Sequence, residues 1–226
     1  IYGYSPYKSP TDMGVNMAGN CIFDDEAVCE AAKQEIIRRY YKALCDRRKG
    51  LEVSKEIEKL ELLLSKAEIG TGDRKVVAAA NKIAEETGKP AAAIELSDGT
   101  VLTGKTKHLL GAASALVLNA LKYLAKIDDE QELIPSDLIE PVQSLKVNYL
   151  GSKNPRLHLD EILVALSVAA ATNRNAAKAL SFLPMLKGAQ VHCSVILSGT
   201  DRRIFSKLGV DLTTEPDYEN DNLYHL

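Results

Sequence analysis

Tryptophan is absent from this chain of 226 residues, phenylalanine occurs three times and cysteine four times. The four cysteines, Cys21, Cys29, Cys45 and Cys193, form no C-x-x-C pair and have no histidine at zinc spacing. That argues against a disulfide framework and a structural zinc, and leaves free, partly buried thiols; neither a metal nor a cofactor is expected. No excess of positive charge exists, since 28 Lys and Arg face 31 Asp and Glu for a formal charge of -3. Bulk electrostatics therefore give no drive toward nucleic acid. The longest apolar run, Leu109 to Leu121, is interrupted by Ser114 and Asn119 and is too short to span a bilayer. A signal peptide is missing, so a cytoplasmic location is expected, and the absence of Met ahead of Ile1 points to a fragment of a longer protein. What is present, 46% hydrophobic and 26% charged residues, suits a globular protein with a real core.

Residues 1–23 carry Ser5-Pro6, Ser9-Pro10, Gly3, Gly14 and Gly19, which predicts an irregular opening segment. Within it Ser9, Thr11, Asp12 and Asn16 gather short polar groups near glycines, as a ligand-binding loop or a set of turns tying down its own backbone would. From Asp24 or Asp25 a long helix is expected, buried along Val28, Ala32, Ile36, Tyr40 and Leu44 and stopped at Gly50. A second helix over 53–66 and a third from Asp73 to Gly88 complete a helical subdomain, residues 24–89. Arg38-Arg39-Tyr40-Tyr41 reads as a solvated face beside a core stripe rather than a nucleic-acid patch.

The second part, residues 90–214, begins with a hairpin around Asp98-Gly99 and continues into a helix over 107–126 that is apolar on nearly every side. Leu145 to Leu150 reads as a strand, and Asn154-Pro155 as the cap and first position of a helix reaching Thr172. A shorter helix covers 176–183, a strand Gln190 to Leu197, a brief helix capped by Asp201 follows, and Val210 to Thr214 is a last strand. The order predicts a mixed sheet of about five strands in a three-layer α-β-α sandwich, an α+β or α/β fold with an N-terminal helical subdomain. Residues 215–226 form an acidic tail with Tyr218 and Tyr224.

Gly99-Thr100-Val101-Leu102-Thr103-Gly104-Lys105-Thr106 matches the letters of the phosphate-cradling loop, G-x-x-x-x-G-K-[ST]. Val101 and Leu102 nevertheless suit a strand pairing back across the turn better than a flexible cradle. A weaker expectation survives, in which Thr103, Lys105 and Thr106 hold an anion at the start of the apolar helix. Asn154, Arg156 and His158 offer a second polar helix start, where His158 beside Asp160 and Glu161 has the residue types of an oriented general base or simply of a charged first turn. His192 and Cys193 are neighbours on a strand and point to opposite faces, so they cannot form a nucleophile pair.

At Ser9-Pro10-Thr11-Asp12-Met13-Gly14-Val15-Asn16, Glu35-Ile36-Ile37-Arg38-Arg39-Tyr40-Tyr41, Gly151-Ser152-Lys153-Asn154-Pro155-Arg156-Leu157-His158 and Leu186-Lys187-Gly188, the chain resembles a bacterial family catalogued as the domain of unknown function number eighteen forty-six. The resemblance covers essentially the whole chain and implies the C-terminal half of proteins about twice its length, with a missing N-terminal half as partner. It also implies a cytidine-deaminase-like topology. A deaminase would open the helix after the hairpin with H-x-E and a later one with P-C-x-x-C; Lys107-His108-Leu109-Leu110 lacks the Glu and no Cys pair exists, so the zinc motif is absent. Two functions are expected from these readings. One is part of an enzyme that binds a phosphorylated or nucleotide-like small molecule at helix N-termini. The other is a structural or oligomerisation module without catalysis of its own, in a homo-oligomer, with neither nucleic acid nor membrane as partner.

Overall fold

A computed structural model of the chain describes residues 25–219, so the opening loop with Ser9, Thr11, Asp12 and Asn16, and residues 220–226 of the tail, lie outside the described residues. Three helices come first: α1 (Asp25–Arg48), α2 (Ser54–Lys66) and α3 (Lys75–Thr87). The burial of α1 is turned by one residue from the expected stripe. Ile37, Tyr41 and Cys45 are buried, Ile36, Tyr40 and Leu44 only half-buried, and Ala32 is exposed. The reason is that α1 is packed on two sides. Tyr40, Ala43 and Leu44 meet Ile57 and Leu60 of α2, while Ile37 and Tyr41 pack with Leu64 and Val77. Arg38 and Arg39 both pair with Glu35, which holds that carboxyl down at about 2 and accounts for the basic run as an exposed ion-pair face. Helix α3 ends where Gly88 takes φ +61°, a left-handed cap that glycine adopts freely.

Strands β1 (Ala91–Glu95) and β2 (Val101–Lys105) form the expected antiparallel hairpin, with Ala91 opposite Lys105 and Glu95 opposite Val101. Gly99 turns the chain at φ +80°, and the Asp98 carboxylate accepts the Thr100 N–H at 2.9 Å. Helix α4 (Ala112–Leu124) follows, then α5 (Ser136–Ser144), α6 (Leu159–Ala169), α7 (Arg174–Ser181), β3 (Gln190–Cys193), α8 (Gly199–Lys207) and β4 (Asp211–Thr214). The sheet among the described residues has four strands in the order β2-β1-β3-β4, with β1 antiparallel to both neighbours and β3 parallel to β4.

Helices cover both faces of this sheet. Ala93 packs with Val76 and Ala80 of α3, and the Tyr41 ring of α1 lies tilted against His192 of β3, centroids 4.9 Å apart. On the opposite face Ala92, Ile94, Val191 and Cys193 join the main core with Leu116, Val117 and Leu121 of α4 and Ile162 and Leu166 of α6. Alternation along each strand sends successive side chains to the two layers, which is why His192 and Cys193 end in different clusters. Each fully buried leucine or valine of α4 contributes about 1.5–3 kcal/mol, so the apolar run that looked like the most buried helix is also a main source of stability.

Two sequence expectations are corrected. The fifth strand, at Leu145 to Leu150, is helical: α5 runs on through a π-helical stretch, Leu145–Tyr149, closed by the Leu150 N–H on the Leu145 carbonyl at 3.0 Å. That winding leaves Leu145, Tyr149 and Leu150 exposed and brings the buried Lys146 ammonium to Glu161 at 2.8 Å and the Arg156 carbonyl at 2.6 Å. A strand would have satisfied the apolar alternation and left that ammonium without its partners. The strand expected over Gln190 to Leu197 ends at Cys193, because the Ile196 N–H bonds to the Asp217 carbonyl instead of a strand neighbour.

Candidate functional site

The two segments that lead into α4 and α6 are sewn together. Leu110 and Leu157 form a parallel bridge, the Leu157 N–H donates to the Leu109 carbonyl at 2.9 Å, and the Ser114 hydroxyl donates to the Leu157 carbonyl at 3.1 Å. A third helix start joins them, because Asp201 in the first turn of α8 accepts the Leu159 N–H at 2.8 Å. Three helix N-termini therefore meet beyond the C-terminal ends of β2 and β3, the place where ligands of open α/β sheets bind.

Between them lies a crevice of about 710 Å³ lined by Thr106, Lys107, His108, Arg156, Val195 and Glu219 among others. An adjoining inner recess of about 40 Å³ shares Thr106, Arg156 and Glu219 and adds Asn154, His158, Asp201 and the Gly111–Ser114 start of α4. The expected residues are thus divided. Thr106 and Arg156 line both the crevice and its recess and Asn154 and His158 line the recess, while Thr103 and Lys105 line a separate cavity beside α3 and α4.

The division follows from where the elements begin. Helix α4 starts at Ala112 with Gly111 as its cap, not near Lys107, so Thr103 and Lys105 are strand residues of β2 with no helix N-terminus beside them in sequence. Along the strand Thr103 and Lys105 point one way and Gly104 the other. Gly104 faces α4, and a Cβ there would lie 2.3 Å from the Leu116 nitrogen, so this glycine of the phosphate-loop pattern is needed for helix-to-sheet contact. Helix α6 begins at Leu159 with His158 as cap. Asn154 does not cap it; its side chain accepts the Arg156 N–H at 3.0 Å in a tight local turn that sets the direction of Arg156.

The charged groups of the crevice are specifically paired. Arg156 forms an ion pair with Glu219 of the tail. The tail is held there by the Glu215 N–H on the Cys193 carbonyl and by Arg48 stacked on the Tyr218 ring at 5.4 Å. His158 Nδ1 lies 3.1 Å from an Asp201 oxygen, and the Ser198 hydroxyl donates to the same oxygen at 2.8 Å. The Asp201 contact raises the His158 pKa above its ordinary value against the effect of burial; burial pushes Asp201 upward, but its bonds to His158, Leu159 and Ser198 leave it lowered overall. Of the two acids that follow His158, Glu161 turns back to accept the His158 N–H at 2.7 Å and binds Lys146, and Asp160 accepts the Glu161 N–H at 2.9 Å.

Asp201, Ser198 and Glu219 were not singled out as site residues by sequence reasoning. Each lies more than 35 positions from His158 or Arg156, and a carboxylate oriented toward a histidine across that separation leaves no local spacing signal. Among the described residues no group of three or more His, Cys, Asp or Glu is arranged to hold a metal, and no helix is long and apolar enough to cross a membrane.

Comparison with known proteins places the chain. The model described as Domain of unknown function DUF1846, C-terminal, matches residues 72–224, and the corresponding N-terminal model matches residues 1–68. UPF0371 protein cu0538 of Corynebacterium urealyticum is 54% identical over 99% of this chain and 45% of its own length. A UPF0371 protein of Corynebacterium glutamicum is 53% identical over the same shares, and UPF0371 protein str1377 of Streptococcus thermophilus 48% identical. The chain spans about half the length of these relatives. The expectation of a C-terminal half alone, partnered by a missing N-terminal half, is corrected: N-terminal and C-terminal family regions both fall on this one chain. The chain belongs to the DUF1846 family.

Proposed function

We propose that the crevice between the starts of α4, α6 and α8 binds a small phosphate-bearing or nucleotide-like molecule, with Arg156 as its principal cation and Thr106 and Asn154 at its walls. The observation that carries this reading is the Arg156–Glu219 pair: the one guanidinium lining the crevice among the described residues already engages an anion, supplied by the chain's own tail. A phosphate offers the same fork of oxygens with more charge. The α4 start beside it carries the backbone N–H groups of Gly111, Ala112 and Ala113. The cytoplasm is the proposed location, and the sandwich is read as deaminase-like in layering, supported by helices on both faces of a mixed sheet. Deaminase chemistry is not carried over, since the H-x-E and Cys-pair residues are missing from the sequence.

Calorimetric titration of the chain with inorganic phosphate and with adenosine monophosphate tests the reading. Arg156→Gln is expected to weaken binding by about tenfold or more, the worth of a charge-assisted hydrogen bond. Glu219→Gln is expected to tighten it by removing the internal competitor. Absence of binding by either compound, or equal affinity for Arg156→Gln, would overturn the proposal.

A further inference from the structure

His158 is the one crevice group whose two ring nitrogens have different fates. Nδ1 is committed to Asp201 at 3.1 Å, whereas Nε2 has no hydrogen-bond partner among the described residues and is not sealed from solvent. The side chain keeps 26% exposure and lines the recess next to Arg156 and the α4 start. Ser198 does not complete a nucleophile triad. Its hydroxyl gives its hydrogen to Asp201 and accepts the Asp201 N–H at 3.1 Å as cap of α8, on the Nδ1 side of the ring. The arrangement is a carboxylate–imidazole pair with one open end.

We infer that His158 is the proton-bearing contact of this crevice: as the imidazolium it donates Nδ1–H to Asp201 and Nε2–H to an oxygen of the bound phosphate, with Asp201 as its positioning residue. The inference rests on the phosphate reading above and adds that the ligand is bound together with a proton.

The charges that face the ring bear this out chemically. Asp201 from α8 and Glu161 from α6 favour the imidazolium; Lys146 from the π-helical stretch opposes it but is itself bound to Glu161. Arg156 and Glu219, which line the same recess, neutralise one another until a ligand exchanges with Glu219. Asp160 points its carboxylate at the Glu161 N–H in the same turn, and Lys107 and His108 line the outer crevice. An incoming dianion replaces the Glu219 carboxylate and adds negative charge next to Nε2, so it strengthens the imidazolium that Asp201 already supports.

Sulfate is the discriminating probe because it stays dianionic across the neutral range, unlike phosphate, so any pH dependence reports the protein. Its affinity for the 226-residue chain is expected to fall about tenfold between about pH 6 and about pH 9, as one charge-assisted hydrogen bond is lost. His158→Gln should bind more weakly at the acid end and show no slope. Asp201→Asn, which keeps an acceptor for the Leu159 N–H, should move the slope to lower pH; His108→Gln should leave it in place. In the unmutated protein, the His158 ring nitrogen resonances should shift on addition of sulfate, a readout independent of any variant's folding. A flat pH profile in the unmutated protein, or a slope that survives His158→Gln, overturns the inference while Arg156-dependent binding would leave the phosphate reading intact. Failure of sulfate and phosphate to bind at any pH removes both.

Discussion

Gly104 of β2 lies against Leu116 of α4 so closely that a methyl group on the glycine would sit 2.3 Å from the Leu116 nitrogen and 2.5 Å from its Cα. The obstruction is backbone and cannot swing aside. Gly104→Ala is therefore expected to destabilise the chain by about 2–4 kcal/mol, as overpacking does when it forces a helix off a sheet. Gly99→Ala, at φ +80° with open space around it, should cost only about 1 kcal/mol. Urea denaturation of the two variants checks the contrast, and equal midpoints would refute it.

Arg74 is buried to 1% exposure at the foot of α3 and donates to the Asp211 carbonyl at 2.5 Å and the Val191 carbonyl at 3.4 Å, across the seam of β3 and β4. Burial pulls its pKa down to about 10, which leaves it charged at neutral pH. Arg74→Ala removes the guanidinium that ties α3 to the β3–β4 seam and opens a cavity, so a loss of about 3–5 kcal/mol is expected. Arg74→Met should recover the packing part of that loss and not the rest. Thermal melts of both variants read the difference.

The two ordered histidines in polar pairs respond to pH with opposite sign. His158 has a raised pKa from its Asp201 contact, so its stabilisation is complete below the unfolded value near 6.5 and disappears as pH rises through the folded one. His192 has a lowered pKa because it is buried against Tyr41; its Nε2 lies 3.2 Å from Glu215 and its Nδ1 2.9 Å from the Thr213 hydroxyl, which donates to the Val191 carbonyl at 3.1 Å. It favours the neutral form, so the fold loses stability as pH falls below about 6.5 and the unfolded chain takes up the proton. His158→Gln should lower stability more at the acid end of the neutral range than at the alkaline end. His192→Gln should flatten the loss on acidification. Denaturant midpoints from about pH 5 to about pH 9, a range that brackets the ordinary histidine value, report both.

Cys193 is fully buried and its thiol is pushed up to about 12; burial raises Cys45 as well, where the thiol meets the Thr214 carbonyl at 3.4 Å. Neither should behave as a nucleophile. In a Cys21→Ser, Cys29→Ser background, Ellman's reagent at pH 8 is expected to find no reactive thiol until denaturant is added. Prompt labelling in the native state would contradict the placement of both.

The sequence was most informative where a signal was local. Asp98-Gly99 between apolar runs marked the hairpin, and Gly88 marked the end of α3, because a turn or a cap is decided by a few neighbouring dihedrals. It misled at Leu145–Leu150, where a short alternation outlines a strand while the contact that seats the segment, Lys146 to Glu161, lies fifteen residues on. The same limit governs the crevice. Arg156 and His158 could be marked from their own polar segment, but Asp201 and Glu219 become their partners only after β3 and α8 are in place. Lys105 was drawn in by a pattern of letters, beside a helix whose expected start at Lys107 lies five residues ahead of the observed one at Ala112.

β1 pairs on one side with a strand it meets after a five-residue turn and on the other with β3, about a hundred residues later in the chain. The hairpin can therefore close on a microsecond timescale by itself, whereas β1–β3 pairing must wait for the whole α4 to α7 segment to be gathered in. The crevice has one wall from each side of that junction: Thr106 follows β2, and Val195 and Asp201 follow β3. It is thus completed by the slowest pairing in the sheet, and an intermediate that holds only the hairpin and the α4 to α6 helices lacks the Val195, Asp201 and Glu219 side of it.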